Sequence, residues 1–251
     1  MHIRPSDIAT WLRNSVSAAA ADGLLVTLNG TVGSAVTARL CQLAVEEKVV
    51  AVLAAEAPLS EAAHEAQRLA EGFELRVVRL PLDLAGNRLS ASLAATMAAA
   101  AAGPPATADR EWIRLSGLRF RMQMTAAYFV ADSLNYLVTG SLDRTDLTLG
   151  TFTRHGDTAV DLLPLGNILK SEVLALAADL EIPQAMVDRA RAEPVAAPDL
   201  YSGDAGLAHR DLERYLADGP DGVAPAAALK IERLMRAAER RGGPPLMMGR
   251  E

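Results

Sequence analysis

Three short aliphatic runs, Leu24 to Leu28, Val49 to Leu53 and Leu75 to Leu80, constrain the fold more than any other feature of this chain. Each is too short for a buried helix and almost uninterrupted by polar residues, as expected of strands covered on both faces. Between them lie segments with helical spacing, from about Ala35 to Glu46 and from Pro58 to Ala70. The order strand–helix–strand–helix–strand predicts a doubly wound parallel sheet, an α/β sandwich of three layers with helices on both faces.

The rest of the chain extends the pattern. Ile8, Leu12 and Val16, with Trp11 beside them, mark an amphipathic helix over 5–21. An alanine-rich helix is predicted over 86–102 and a long helix over 115–133, followed by a fourth strand at Tyr136 to Val138. Further helices are predicted at 169–180, 184–191, 207–217 and 225–241, with Glu193 to Gly206 as a loop. Gly103-Pro104-Pro105-Ala106-Thr107 reads as a surface connection rather than a domain boundary, so residues 1–251 are read as a single domain. From Thr139 to Leu165 the chain is irregular and polar, and segments of that length in a compact domain usually carry function.

Composition narrows the partners. A net charge of −6, spread along the chain, leaves no footprint for duplex nucleic acid. One cysteine excludes an internal disulfide and the multi-cysteine zinc patterns, and Cys41 among Leu40, Leu43 and Ala44 reads as a small buried hydrophobe. Arg4, Asp7 and Arg13 interrupt any apolar leader, and the stretch from Ala91 to Gly103 is far short of a bilayer span. The expectation is a soluble cytoplasmic protein with no membrane partner.

The loop Asn29-Gly30-Thr31-Val32-Gly33-Ser34 follows the first strand and opens a helix. Backbone N–H groups and the helix dipole at such a turn favour an anion. The strict dinucleotide and P-loop fingerprints are absent, so the alternative, glycines that only permit a tight turn, stays open.

The segment from Val138 to Leu180 is more specific. Gly140 to Asp146, Leu149 to Asp157, Asp161 to Pro164, and Lys170 to Pro183 together resemble the ammonia-dependent NAD synthetases. Their patterns are Gly-Thr-x-Asn-Lys-Ser-Glu, Leu-Gly-x-x-Thr-Lys-x-Gly-Asp, Asp-x-x-Pro, and a lysine opening a helix that ends at Ile-Pro. Leu118 to Met122 is similar to that family's Ala-Arg-x-Arg-Met helix, Pro198 to Tyr201 to its Ala-Asp-Leu-Trp segment, and Pro244-Pro245 to its terminal prolines. The resemblance implies that ATP adenylates the carboxylate of nicotinic acid adenine dinucleotide and that ammonia displaces AMP. No glutamine-hydrolysing domain is expected within the chain.

Matched position by position, the resemblance implies ATP contacts at Gly30, Ser34, Ser141 and Lys170, the last being one of only three lysines. It implies substrate contacts at Arg119, Arg154 and Asp161, a magnesium ligand at Asp146, and a homodimer. No catalytic residue is assigned, and His155 reads as an ordinary loop histidine. Asn29, Thr31 and Gly33 depart from the family's Ser-Gly-Gly-x-Asp-Ser loop, and Gly33 removes one carboxylate. Thr31 is expected to resist the positive φ of the glycine it replaces. Ala197 replaces a hydroxyl, Asp204-Ala205-Gly206 shortens an acidic stretch, and Glu239-Arg240-Arg241 replaces a His-Lys pair. The alternatives are an amide-forming ligase for another carboxylate, or an impaired homologue that binds a nucleotide or a partner.

Overall fold

A computed structural model describes residues 3–55, 61–100, 108–192 and 207–241. The connection at 103–107, Pro198 to Tyr201, Ala197, Asp204 to Gly206 and Pro244-Pro245 lie outside these, as do the side chains of Arg240 and Arg241.

The four strands are β1 (Gly23–Thr27), β2 (Val49–Ala55), β3 (Arg76–Pro81) and β4 (Tyr136–Thr139), and they form one sheet in the order β3-β2-β1-β4. All pairings are parallel, with Val26 opposite both Ala51 and Thr139. Alternation across the pleat divides the core. Leu24 and Val26 pack with Ile8, Leu12, Val36, Leu40 and Leu69 on one face. Leu25, Val52 and Val138 pack with Met124, Ala127 and Ala131 on the other. Each fully buried aliphatic side chain contributes about 1.5–3 kcal/mol, so the two-sided cover explains why these strands are continuous in hydrophobicity.

Helices α1 (Pro5–Ala18), α2 (Val32–Val45), α3 (Glu61–Gly72), α7 (Lys170–Asp179) and α8 (Gln184–Ala192) contribute to the first core. Helix α5 (Ala108–Leu134), with α4 (Leu82–Ala99) packed on it, covers the second face. Pro5 begins α1 where its missing N–H is harmless, and Asp7 accepts from the Arg4 N–H. Helices α9 (His209–Asp218) and α10 (Pro225–Arg241) enclose a third cluster around Leu149, Leu207, Leu212, Ile231 and Leu234.

Three expectations are corrected. The long helix starts at Ala108, the alanine-rich helix spans Leu82–Ala99, and the polar segment after β4 is not wholly irregular. It contains α6 (Arg144–Leu149), and Leu162 pairs with Thr139 in parallel as a stub of a further strand. Helix α6 is a single capped turn and a half, stopped by Gly150 at φ 72°, and periodicity has nothing to grip over six residues.

Candidate active site

The strand order places the chain's reversal between β1 and β4. One crossover leaves β1 toward β2, while β4 lies on its other side. The carboxyl ends of two such strands open a crevice where ligands of parallel α/β sheets gather. Two segments meet here. A Cβ built on Gly33 would lie 3.0 Å from the Ser141 carbonyl oxygen, so the turn after β1 and the turn after β4 touch.

The turn after β1 is held by its own side chains. Asn29 Oδ1 accepts from the Thr31 N–H at 3.2 Å and from the Thr31 hydroxyl at 2.7 Å. Thr31 caps α2 by accepting from the Ser34 N–H at 3.3 Å, and Ser34 Oγ donates to the Thr31 carbonyl at 2.9 Å. Thr31 has φ −89°, so its position asks for no positive φ and the expected strain is absent. Gly30 is the residue that needs glycine: its φ is +78° and a Cβ would strike the Ala62 carbonyl at 2.3 Å. Helix α2 therefore begins beside the crevice with its N-terminal dipole directed there.

The turn after β4 carries the charge. Asp143 is 1% exposed and caps α6 by accepting from the Asp146 N–H at 3.0 Å. Lys170, at the start of α7, brings Nζ to 2.5 Å from Asp143 Oδ2, with its side chain 17% exposed. Its backbone N–H donates to Thr145 Oγ1 at 3.3 Å, which ties α7 to α6. Asp146 completes the capping box: Oδ2 accepts from the Asp143 N–H at 3.1 Å and Oδ1 from the Thr151 hydroxyl at 3.0 Å. Burial first, then the charge of Asp143, pushes the Asp146 carboxyl up to about 6, against the pull of Lys170. Asp157 is likewise pushed up to about 6, chiefly by burial, while the Thr153 N–H donating to it at 2.7 Å opposes the rise.

A second group runs along α5. Arg121 Nε donates to the Arg154 carbonyl at 3.1 Å, docking the 153–158 loop on the helix. Gly117 and Gly156 keep the two backbones close, since a Cβ on Gly156 would meet Phe120 Cβ at 3.0 Å. Arg119 and Arg154 are both exposed beside this contact. Asp161 is half-buried, accepting from the Tyr128 hydroxyl at 3.0 Å and the Val138 N–H at 2.7 Å. Its second bond closes the outer edge of β4 where the strand stub begins, and burial with Asp161 nearby raises the Tyr128 hydroxyl pKa.

Of the residues singled out from the sequence, Gly30, Ser34, Ser141, Asp146 and Lys170 are thus gathered at the ends of β1 and β4. Arg119 lies on α5, and Arg154 and Asp161 are tied to α5 through the Arg154 carbonyl and the Tyr128 hydroxyl. Asp143, Thr151 and Tyr128 were missed. The signal for Asp143 was present: an acid that opens a short helix, three residues before another acid, is a capping box. A cavity of about 710 Å³ adjoins Lys170 between α7, α8 and α9, where Arg191, Arg210 and Glu213 reach its wall.

The donor set does not compose a magnesium site. Gly33 offers no carboxylate, both Asp146 oxygens are hydrogen-bonded internally, and Asp143 is paired with Lys170. Among the described residues, no cluster of three acidic, histidine or cysteine side chains has metal-binding geometry.

Comparison with known proteins shows the family and the fold. The sequence model of the family described as NAD synthase matches residues 5–205. The NH(3)-dependent NAD(+) synthetase of Carboxydothermus hydrogenoformans is 34% identical over 212 residues, covering 84% of each chain. That of Syntrophomonas wolfei is 30% identical over 249 residues, covering 95% of this chain and 92% of its own. Among solved structures, the NMN synthetase of Francisella tularensis superposes with TM-score 0.76 at 23% identity, covering 98% of this chain and 97% of its own. The NH3-dependent NAD synthetase of Campylobacter jejuni, in complex with nitrate ion, gives TM-score 0.75 at 21% identity with the same coverage.

Proposed function

The chain belongs to the NAD synthase family, and from that premise we propose that it amidates nicotinic acid adenine dinucleotide with ammonia, driven by ATP. The observation that carries this reading is the meeting of the turn after β1 with the Ser141–Lys170 segment in one crevice. A carboxylate is a poor electrophile. Its oxygen attacks the α-phosphorus of ATP and pyrophosphate leaves. Ammonia then attacks the acyl carbon of the adenylate, AMP leaves, and a proton is released. Catalysis of this kind is mostly positioning, exclusion of water and charge stabilisation.

Gly30 and Ser34 hold the phosphate-facing turn, with the α2 N-terminus offering backbone N–H groups. Ser141 and Lys170 complete the ATP side. Arg119, Arg154 and Asp161 take the dinucleotide, the arginines facing its phosphates and Asp161 presented by Tyr128. Asp146 holds the Ser141–Asp143 turn through its capping box, and no step is routed through a protein-held magnesium. The acting partners are small molecules, the carboxylate, ATP and ammonia, in the cytoplasm. The protomer pairs with a second copy through the exposed apolar residues of α4 and α5.

The missing carboxylate at Gly33 favours a second reading: a ligase for another carboxylate, or a homologue that binds nucleotide without turnover. The test is a turnover assay with nicotinic acid adenine dinucleotide, ATP and ammonium, following AMP and NAD together. Equal release of both is expected. AMP release only with other carboxylates, or none with any, would replace the first reading by one of the second pair.

A further inference from the structure

Lys170 is not presented to the crevice as a lone cation. Its ammonium lies against the buried carboxylate of Asp143. The turn carries this carboxylate at the N-cap of α6, three residues before Asp146. Among the described residues Asp143 Oδ2 accepts no hydrogen bond, and it lies within ion-pair distance of Lys170. Its other oxygen accepts from the Asp146 N–H. A phosphate brought to Lys170 therefore approaches a second, fixed negative charge behind the ammonium. In a partly buried setting, two like charges a few ångströms apart repel enough to change an affinity about tenfold.

We propose that Asp143 is a specificity-determining residue: it holds Lys170 in an internal ion pair with which a bound polyphosphate must compete, and so weakens ATP binding. This deepens the functional reading above and rests on it. Ligands with less concentrated charge, such as a dinucleotide whose phosphates are diesters, suffer less from the Asp143 carboxylate than a triphosphate does. The chain is thereby tilted toward its dinucleotide and away from free ATP.

The experiment is calorimetric titration of ATP and of nicotinic acid adenine dinucleotide into the whole protein, with EDTA and again with magnesium. Asp143→Asn removes the charge and keeps a good helix cap, so α6 is retained; Asp143→Ser is a second uncharged cap should the first misfold. ATP affinity is expected to rise about tenfold in either variant, with dinucleotide affinity changed by less than about threefold. In the double variant Asp143→Asn/Lys170→Met, which leaves no orphaned charge, the gain is lost. A merely structural role for Asp143 would lower both affinities, and ATP affinity at or below wild type in the single variants overturns the proposal. Absence of ATP binding in every variant overturns the functional reading together with it.

Discussion

Asp157 shows how one residue couples loop packing to pH. Burial raises its carboxyl to about 6, while an unfolded chain leaves it at 3.8. The fold therefore prefers the protonated form. Its contribution to stability is greatest below the unfolded value and is lost as pH rises through about 6. Asp157→Asn keeps an acceptor for the Thr153 N–H and removes the ionisation. The variant is expected to be more stable than wild type at pH 8, by about 3 kcal/mol, and nearly indistinguishable at about pH 3.5, below the unfolded value. Thermal melts at the two values check this, and a gain that is the same at both would contradict it. Cys41 is the contrasting case: on the buried face of α2, its thiol is pushed up to about 12 by burial, so the sequence reading of an inert small side chain stands.

At the scale of elements, helix ends are where this sequence strains its backbone. Ala20, Glu46, Glu74, Asn135 and Glu181 each follow a helix with positive φ, places where glycine is the usual choice. Glu46 sits at φ 54° and ψ −118°, away from the ordinary left-handed region, and it is exposed on the surface. Glu46→Gly is expected to stabilise the protein by about 1 kcal/mol, because relief of strain exceeds the extra freedom given to the unfolded chain. Denaturant midpoints check it; a lower midpoint would mean that Glu46 makes a contact worth more than its strain. Among these ends the sequence reading differs most at α1, which periodicity extends to 21 and the structure ends at Ala18; the larger differences, at α4 and α5, are at helix starts. A glutamate is no stop signal in a sequence, yet the chain reverses there because the next strand must enter the sheet.

Over the whole molecule, α4 and α5 pack together and leave Leu84, Leu89, Leu93, Met97 and Phe120 exposed, with Phe129 at 76%. So much aliphatic and aromatic surface on one pair of helices is unusual for a monomer and suits a symmetric contact. Phe129→Asp is expected to convert a dimer into a monomer at micromolar concentration, measured by light scattering after gel filtration. An unchanged mass would remove this face from the assembly. Nothing in the alanine-rich sequence marked the face in advance, since the apolar spacing of α4 reads equally well as a core stripe. No helix among the described residues is long and apolar enough to cross a membrane.

Hydrophobic periodicity by itself determined the parallel sheet, because a strand buried on both faces cannot afford polar residues and its neighbours must then be helices. The quoted motifs determined the family in the same local way, residue against residue. Only the tertiary structure decided which strands are neighbours, that Gly33 abuts Ser141, that Asp143 holds Lys170, and that Asp161 answers Tyr128 across β4. The reason is one of range. Periodicity reports a side chain's face within its own element, whereas charge pairing and steric contact depend on distances between elements far apart in the chain.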